Sequence, residues 1–327
     1  MENKLGGGME SNNMNGNSQE WEREVLEKLA LAAVTEQRRA RRWNVFFKIL
    51  MFTYLIVVGV MAFYPKFEKT MGSSDEEHAA IVDVLGVIAE NEAANADSII
   101  EGLRAAAKDK KTKGIVLNIN SPGGSPVQSA YVFEEIKRLK EKHPDMPIYA
   151  VVSDICASGG YFIASAADKI YVNRSSMIGS IGVVMNGFGF VNTMKKLGVD
   201  RRLLIAGEHK ALMDPFSPMN AVETQHMQTL LDNVHQQFIA AVKLGRGDRL
   251  IETEGMFSGL IWTGEQGVKL GLADDFGSVD SVARDIIGVE KKLNFTPQEL
   301  LLDKVFGKLG ASFGHALGSA VTGMSMR

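Results

Sequence analysis

A serine set among small residues can serve as a nucleophile, and Ser158 has that setting. It stands in DICASGGYFIAS (154–165), after the apolar run IYAVV, flanked by Ala157 and by Gly159-Gly160. Small neighbours let a substrate backbone approach closely. A serine where a strand hands over to a helix also suits an N-cap, and the local residues leave both roles open. The pattern is not G-x-S-x-G, so the triad of the α/β-hydrolases is not implied. Cys156, the single cysteine, would sit in the strand end two residues earlier, where a small buried thiol is normally inert.

A second turn, NINSPGGSP (118–126), follows the apolar run GIVL. Rigid Pro122 precedes Gly123 and Gly124, both able to adopt positive φ, so backbone N–H groups can face outward and hold an oxyanion. One such donor is worth about 10²–10³ in rate, although Pro-Gly-Gly is also an ordinary turn. The six histidines show neither His-x-x-x-His nor His-Glu-x-x-His spacing, and one cysteine cannot build a thiolate site, so no metal is expected. No apolar run leads into G-x-G-x-x-G or G-x-x-x-x-G-K-[ST], so no nucleotide cofactor is expected. A formal net charge of −3 offers no basic field to nucleic acid.

The elements that must position these turns alternate: AAIVDVLGVI, ADSIIEGLRAAAKD, GIVLNIN, VFEEIKRLKEK and PIYAVVSD follow one another as strand, helix, strand, helix and strand. Unbroken apolar strands between helices predict a parallel sheet covered on both faces, an α/β domain over residues 79–290. Ligands of such sheets gather at the C-terminal strand edge, where both turns fall.

Upstream, residues 1–20 are rich in Gly, Asn and Ser and read as a flexible tail; a helical stretch then runs to the cluster Arg38, Arg39, Arg41 and Arg42. From Trp43 to Tyr64 the only charge is Lys48, near the start. Roughly 20 apolar residues at 1.5 Å rise cross a ~30 Å hydrocarbon core, so residues 43–64 are expected to span a bilayer and contact its lipid. The arginines outweigh Lys66 and Lys69, which places residues 1–42 in the cytoplasm and the rest outside. The run starts over forty residues in, exceeds an ordinary signal-peptide core and is followed by no convincing small-x-small site, so an uncleaved signal anchor is expected. Residues 65–78 form an acidic linker around Asp75, Glu76 and Glu77, and residues 291–327 form a tail with a helix start at Thr296-Pro297-Gln298-Glu299.

Taken in order, NSPGG, ASGGY, GSIGV (179–183) and GEHK followed by DPFSPM (207–219) resemble the signal peptide peptidase A (protease IV) family, short form, over roughly residues 80–290. The resemblance implies a Clp/crotonase-like domain of repeated ββα units, preceded here by one transmembrane helix, that assembles as a homo-oligomer. It implies a Ser-Lys dyad, with Ser158 as nucleophile and Lys210 as general base. Ser180 would orient the lysine, and Gly123 and Gly159 would supply oxyanion amides. The implied substrates are peptides with small and apolar residues, above all signal peptides left in the membrane after export. The implied location is the cytoplasmic membrane with the catalytic domain on its outer, periplasmic side.

On its own residues Lys210 reads as a solvated loop charge, and His209 beside it keeps a Ser–His pairing open. A lysine base makes one physical demand. An ordinary lysine is neutral in about one molecule in 2,500 at pH 7, and bringing its pKa to ~7 takes about 4 kcal/mol of ammonium destabilisation. Leu212, Met213 and Phe216 are apolar and close in sequence. Two other functions suit the same fold. One is a catalytically silent membrane scaffold in which Ser158 only caps a helix. The other is a crotonase-type acyl-thioester enzyme, which needs carboxylates in its pocket and a cytoplasmic supply of coenzyme A, and which the expected topology opposes.

Overall fold

The structure, a computed structural model, describes residues 14–71 and 76–297. It divides into two units on either side of residue 73.

The described residues of the first unit form one helix, α1 (Met14–Met71). Its residues from Trp43 to Val57 are mostly apolar and exposed, Phe52 to 70% and Met51 to 65%, with Lys48 the one charge among them. A helix so largely apolar does not belong on the surface of a water-soluble unit, and the stretch Val25–Gly59 is long and apolar enough to cross a membrane. The helix begins at Met14, inside the stretch expected to be a flexible tail, because propagation from the good helix former stretch behind it costs far less than nucleation. It also runs on through Pro65 to Met71, where a linker is expected.

The second unit opens with β1 (His78–Leu85), almost wholly buried, then α2 (Ala96–Lys108), β2 (Thr112–Ser121), α3 (Pro126–Lys142) and β3 (Ile148–Ala157). This is the expected alternation. Asn95 and Ser125 cap the two helices by accepting from the N–H groups of Ser98 and Gln128, and Pro126 takes the first helical position. A short helix, α4 (Gly159–Ser165), follows β3 at once. Next come β4 (Lys169–Val172), β5 (Met177–Gly179), α5 (Val191–Lys196) and the long α6 (Ala221–Arg246). The unit finishes with β6 (Ile261–Thr263), α7 (Gly264–Lys269), β7 (Asp275–Phe276), α8 (Val279–Ser281) leading into a π turn, and β8 (Lys292–Asn294).

The eight strands of the described residues join one sheet in the order β6-β5-β3-β2-β1-β8, with β4 pairing with β3 and β7 with β4. Every pairing is parallel except β5 with β6. The main core joins the inner face of the sheet to α2, α3, α4 and α6, and a smaller one gathers Ile81, Val116, Val151, Tyr171 and Val282 on the other face. β8 carries the domain past the expected boundary at residue 290; three residues, Lys-Leu-Asn, hold no periodic signal. Of the helix start expected at 296–299, residues 298 onward lie outside the described residues, and Thr296 accepts a hydrogen bond from the Asp83 N–H at 2.7 Å.

Two charged clusters hold helices in place. Glu135 of α3, 6% exposed, is gripped by Arg138 at 2.6 Å and by Arg104 of α2 at 2.8 Å. The hydrogen bond from Arg138 and then that from Arg104, working against burial, bring its pKa from 4.5 to about 2. A lowered carboxylate pKa stabilises the fold above the unfolded value, and that stability is lost as pH falls through the folded one. Glu135→Gln should therefore be less stable than wild type at pH 6 by on the order of 2 kcal/mol, with the gap closing between about pH 4.5 and 2. Urea unfolding across that range reads it; a gap that ignores pH would assign the cost to packing alone.

The second cluster lies at the end of α6. Arg246 is buried and donates to the Gly271 carbonyl and to the Asp274 carboxylate, each at 2.8 Å. Asp274 also accepts from the Ile170 N–H at 2.7 Å and from Arg249 at 3.2 Å. Burial alone would raise the Asp274 pKa, but the Arg246 hydrogen bond and charge outweigh it and hold it low. The neighbouring Tyr161 of α4 donates to the Leu272 carbonyl at 2.8 Å. The helix that follows Ser158 is thus tied to the same loop as α6.

Candidate active site

Ser158 joins β3 to α4 with φ 51° and ψ −123°, a conformation costing a non-glycine residue on the order of 1–3 kcal/mol. Its N–H donates to the Gly179 carbonyl at 2.8 Å, which helps to hold it there. It occupies the N-cap position, yet its side chain caps nothing, and among the described residues its hydroxyl makes no hydrogen bond. The capping role fails. The hydroxyl belongs instead to a cavity of about 760 Å³, walled by apolar residues including Val127, Phe162 and Phe238 and without a lining carboxylate.

Gly159 is the first residue of α4, where a helix leaves N–H groups unsatisfied. The second glycine turn reaches it by way of Ile88. Ile88 donates to the Gly123 carbonyl at 2.9 Å and accepts from the Ser125 N–H at 2.7 Å, so Gly124 lies against it in a parallel bridge. A Cβ at position 124 would stand 2.1 Å from the Ile88 oxygen, at a φ of +154°, so only glycine fits. The opposite side of Gly124 faces α4: a Cβ on Gly159 would lie 3.2 Å from the Gly124 nitrogen.

The expected donor of this turn, Gly123, gives its N–H to the buried Ser121 hydroxyl at 3.1 Å. Gly124, which lines the cavity with Gly159, is the amide that remains; among the described residues neither N–H has a hydrogen-bond partner. The spacing permits this bond, since a serine two residues before an amide can accept from it, but it does not say which way the hydroxyl points.

Ser180 lines the same cavity with φ 50°, its N–H donating to the Leu260 carbonyl at 2.8 Å. Gly179 pairs in register with Ala157, which sets Ser158 and Ser180 side by side at the ends of adjacent strands. Lys210 stands apart. It is exposed, in a run of turns over 206–217, and does not line the cavity. Met213 and Phe216, expected to shield it, are themselves 44% and 40% exposed. The turns fold back on the preceding segment: the Phe190 N–H donates to the Pro215 carbonyl at 2.7 Å, and the rings of Phe190 and Phe216 stack at 5.6 Å. His209 is exposed and its Nδ1 lies 3.1 Å from Glu223 of α6, again outside the cavity lining. Cys156 is fully buried, and burial pushes its thiol well up, away from a nucleophilic thiolate. Among the described residues no group of three His, Cys, Asp or Glu could hold a metal ion.

Compared with known proteins, the chain matches the pattern of Peptidase family S49 over residues 140–293 and that of Clp protease over residues 78–195. It is 40% identical over 213 residues, 65% of its own length, to a Brucella abortus protein named Na(+)/H(+) antiporter NhaA, of which the match covers 29%. It is 32% identical over 199 residues to a putative signal peptide peptidase SppA of Enterococcus faecium, covering 61% of this chain and 57% of the relative. A putative protease of Methanocaldococcus jannaschii is 30% identical over 216 residues, 65% of this chain and 68% of the relative. The chain thus spans under a third of the first of these relatives and a little over half of the second.

Proposed function

The chain belongs to peptidase family S49, its second unit is a Clp-protease-like domain, and from that premise we propose that it is a serine peptidase working through Ser158. The observation that carries this reading is the cavity, where a strained serine, its hydroxyl without a hydrogen bond among the described residues, stands beside the N–H groups of Gly159 and Gly124.

In the proposed reaction the Ser158 Oγ attacks the scissile carbonyl while the Lys210 amine takes its proton, and the developing oxyanion is held by Gly159 and by the Gly123-Gly124 turn through the Gly124 N–H. The lysine, oriented by Ser180, returns the proton to the departing amine. Water then attacks the acyl-enzyme and releases the second product. Because Lys210 lies outside its own chain's cavity, the dyad is completed either by the 206–217 turns moving over Ser158 or by a second copy of the chain. Exposed apolar side chains ahead of it, Val184 and Phe188 at 83% and Leu204 at 98%, support a homo-oligomer that covers this segment.

Apolar walls at Val127, Phe162 and Phe238 support substrates with small and apolar side chains, among them cleaved signal peptides in the membrane. The exposed apolar face of α1 supports an anchor in the cytoplasmic membrane, and Arg38, Arg39, Arg41 and Arg42 support an orientation with residues 1–42 inside and the peptidase domain outside.

A fluorophosphonate probe tests the nucleophile. It should label the full chain at one residue, Ser158, with loss of peptide turnover in proportion to labelling. Complete inactivation with the adduct mapped to another residue would overturn the assignment.

A further inference from the structure

A second cavity, of about 580 Å³, lies between the C-terminal ends of α2 and α3. Thr112 lines it and is the register partner of His78, so the groove sits where β1 and β2 begin. Ser158 follows the far end of β3, which runs parallel to them, at the other edge of the sheet. The groove's apolar lining is Ala107, Leu139 and Met146. Around these stand Arg104, Lys108, Lys110, Arg138 and Lys142, against one lining carboxylate, Asp109.

Arg104 and Arg138 are engaged by Glu135. Lys108, Lys110 and Lys142 are exposed and make no ion pair among the described residues. Lysines in a last helical turn offset the carbonyl end of the helix, which accounts for Lys108 and Lys142. It does not account for Lys110, which lies beyond the end of α2, nor for the convergence of all five cations on one hollow.

We propose that this groove is a docking surface for the phosphate headgroups of an anionic bilayer. The proposal rests on the membrane-anchored reading above. Two features favour lipid over a soluble acidic protein. The first strand of this unit starts at His78, at the same edge that carries the groove, so the groove lies at the end where the chain enters the unit. The apolar lining beneath a basic rim also matches a headgroup with the first methylenes below it.

The test uses the full chain reconstituted in vesicles, either of neutral phosphatidylcholine or with a third of phosphatidylglycerol, and follows amide hydrogen exchange over residues 107–113 and 139–146. Exchange should be about tenfold slower in the anionic vesicles. The protection should vanish in Lys108→Gln/Lys110→Gln/Lys142→Gln, and at about 0.5 M salt, where the Debye length falls to about 4 Å.

Equal exchange in both vesicles, or protection undiminished in the triple variant, overturns the proposal. So does equal protection in neutral vesicles from added inorganic phosphate, which would make this a free-anion site, or from polyglutamate, which would point to an acidic protein. If the triple variant melts lower because it has lost last-turn lysines, Lys110→Gln alone must still lose protection for the proposal to stand. Turnover of a soluble peptide, followed in the same vesicles, should be the same in wild type and variants. Its absence in wild type would count against the peptidase reading and leave the exchange result to judge the groove.

Discussion

Lys210→Ala should lower kcat/KM for a peptide by about 10⁴ or more, Ser158→Ala by a similar factor, and the double variant by no more than either single one. Two groups that act as one unit lose their whole effect when either is removed, so the losses do not add. Neither change should shift the melting temperature by more than a few degrees. Lys210 is exposed, and among the described residues the Ser158 hydroxyl makes no hydrogen bond that its removal would break. A Lys210→Ala protein that keeps a tenth of its kcat/KM would remove the base from this residue, and a His209→Ala protein that has lost turnover would move the assignment to the histidine. Mixing the two inactive single variants tells apart the two ways of completing the dyad. If a second copy supplies the lysine, mixed oligomers regain part of the activity; if the 206–217 turns close over their own cavity, the mixture stays dead.

Arg246→Ala carries the largest expected loss of stability, about 3–5 kcal/mol, read by urea unfolding. Deleting the guanidinium leaves the Asp274 carboxylate, 12% exposed, with the Ile170 N–H and the more exposed Arg249 as its remaining partners. It also removes the donor to Gly271 and opens a void at the foot of α6. Arg246→Met with Asp274→Asn removes both charges and refills most of the volume, so it should recover a large part of the loss. A loss below about 1 kcal/mol in Arg246→Ala would show that the cluster does not hold α6 and α4 to the 271–274 loop.

β1, β2 and β3 are legible in the sequence for a physical reason: a parallel strand buried on both faces is an unbroken apolar run, and each of these runs is followed by a helix pattern or a glycine turn. That is enough to bring NSPGG and ASGGY to one sheet edge. β5, β6, β7 and β8 hold two or three residues each, too few to display a period, and exist because of partners distant in the chain.

Within the site, residue type marks Ser158 and the glycines. The choice between Gly123 and Gly124 turns on where the Ser121 hydroxyl points, which spacing alone leaves open. Lys210 is harder still. Residues 197–220 contain no helix or strand, so position in the sequence says little about which cavity its amine can reach.

The pairing of β8 with β1 sets the order of events at the birth of the molecule. Lys292, Leu293 and Asn294 align with Ala79, Ala80 and Ile81, the Phe295 N–H donates to the Ile81 carbonyl at 2.8 Å, and the Phe295 ring stacks on His78. A ribosome adding roughly 5–20 residues per second takes some 10–40 s to travel from the end of β1 to β8. Throughout that interval one edge of β1 lacks its strand, and a bare edge invites pairing with the wrong chain. The newborn polypeptide therefore has to be kept solitary until nearly all of the domain has been made.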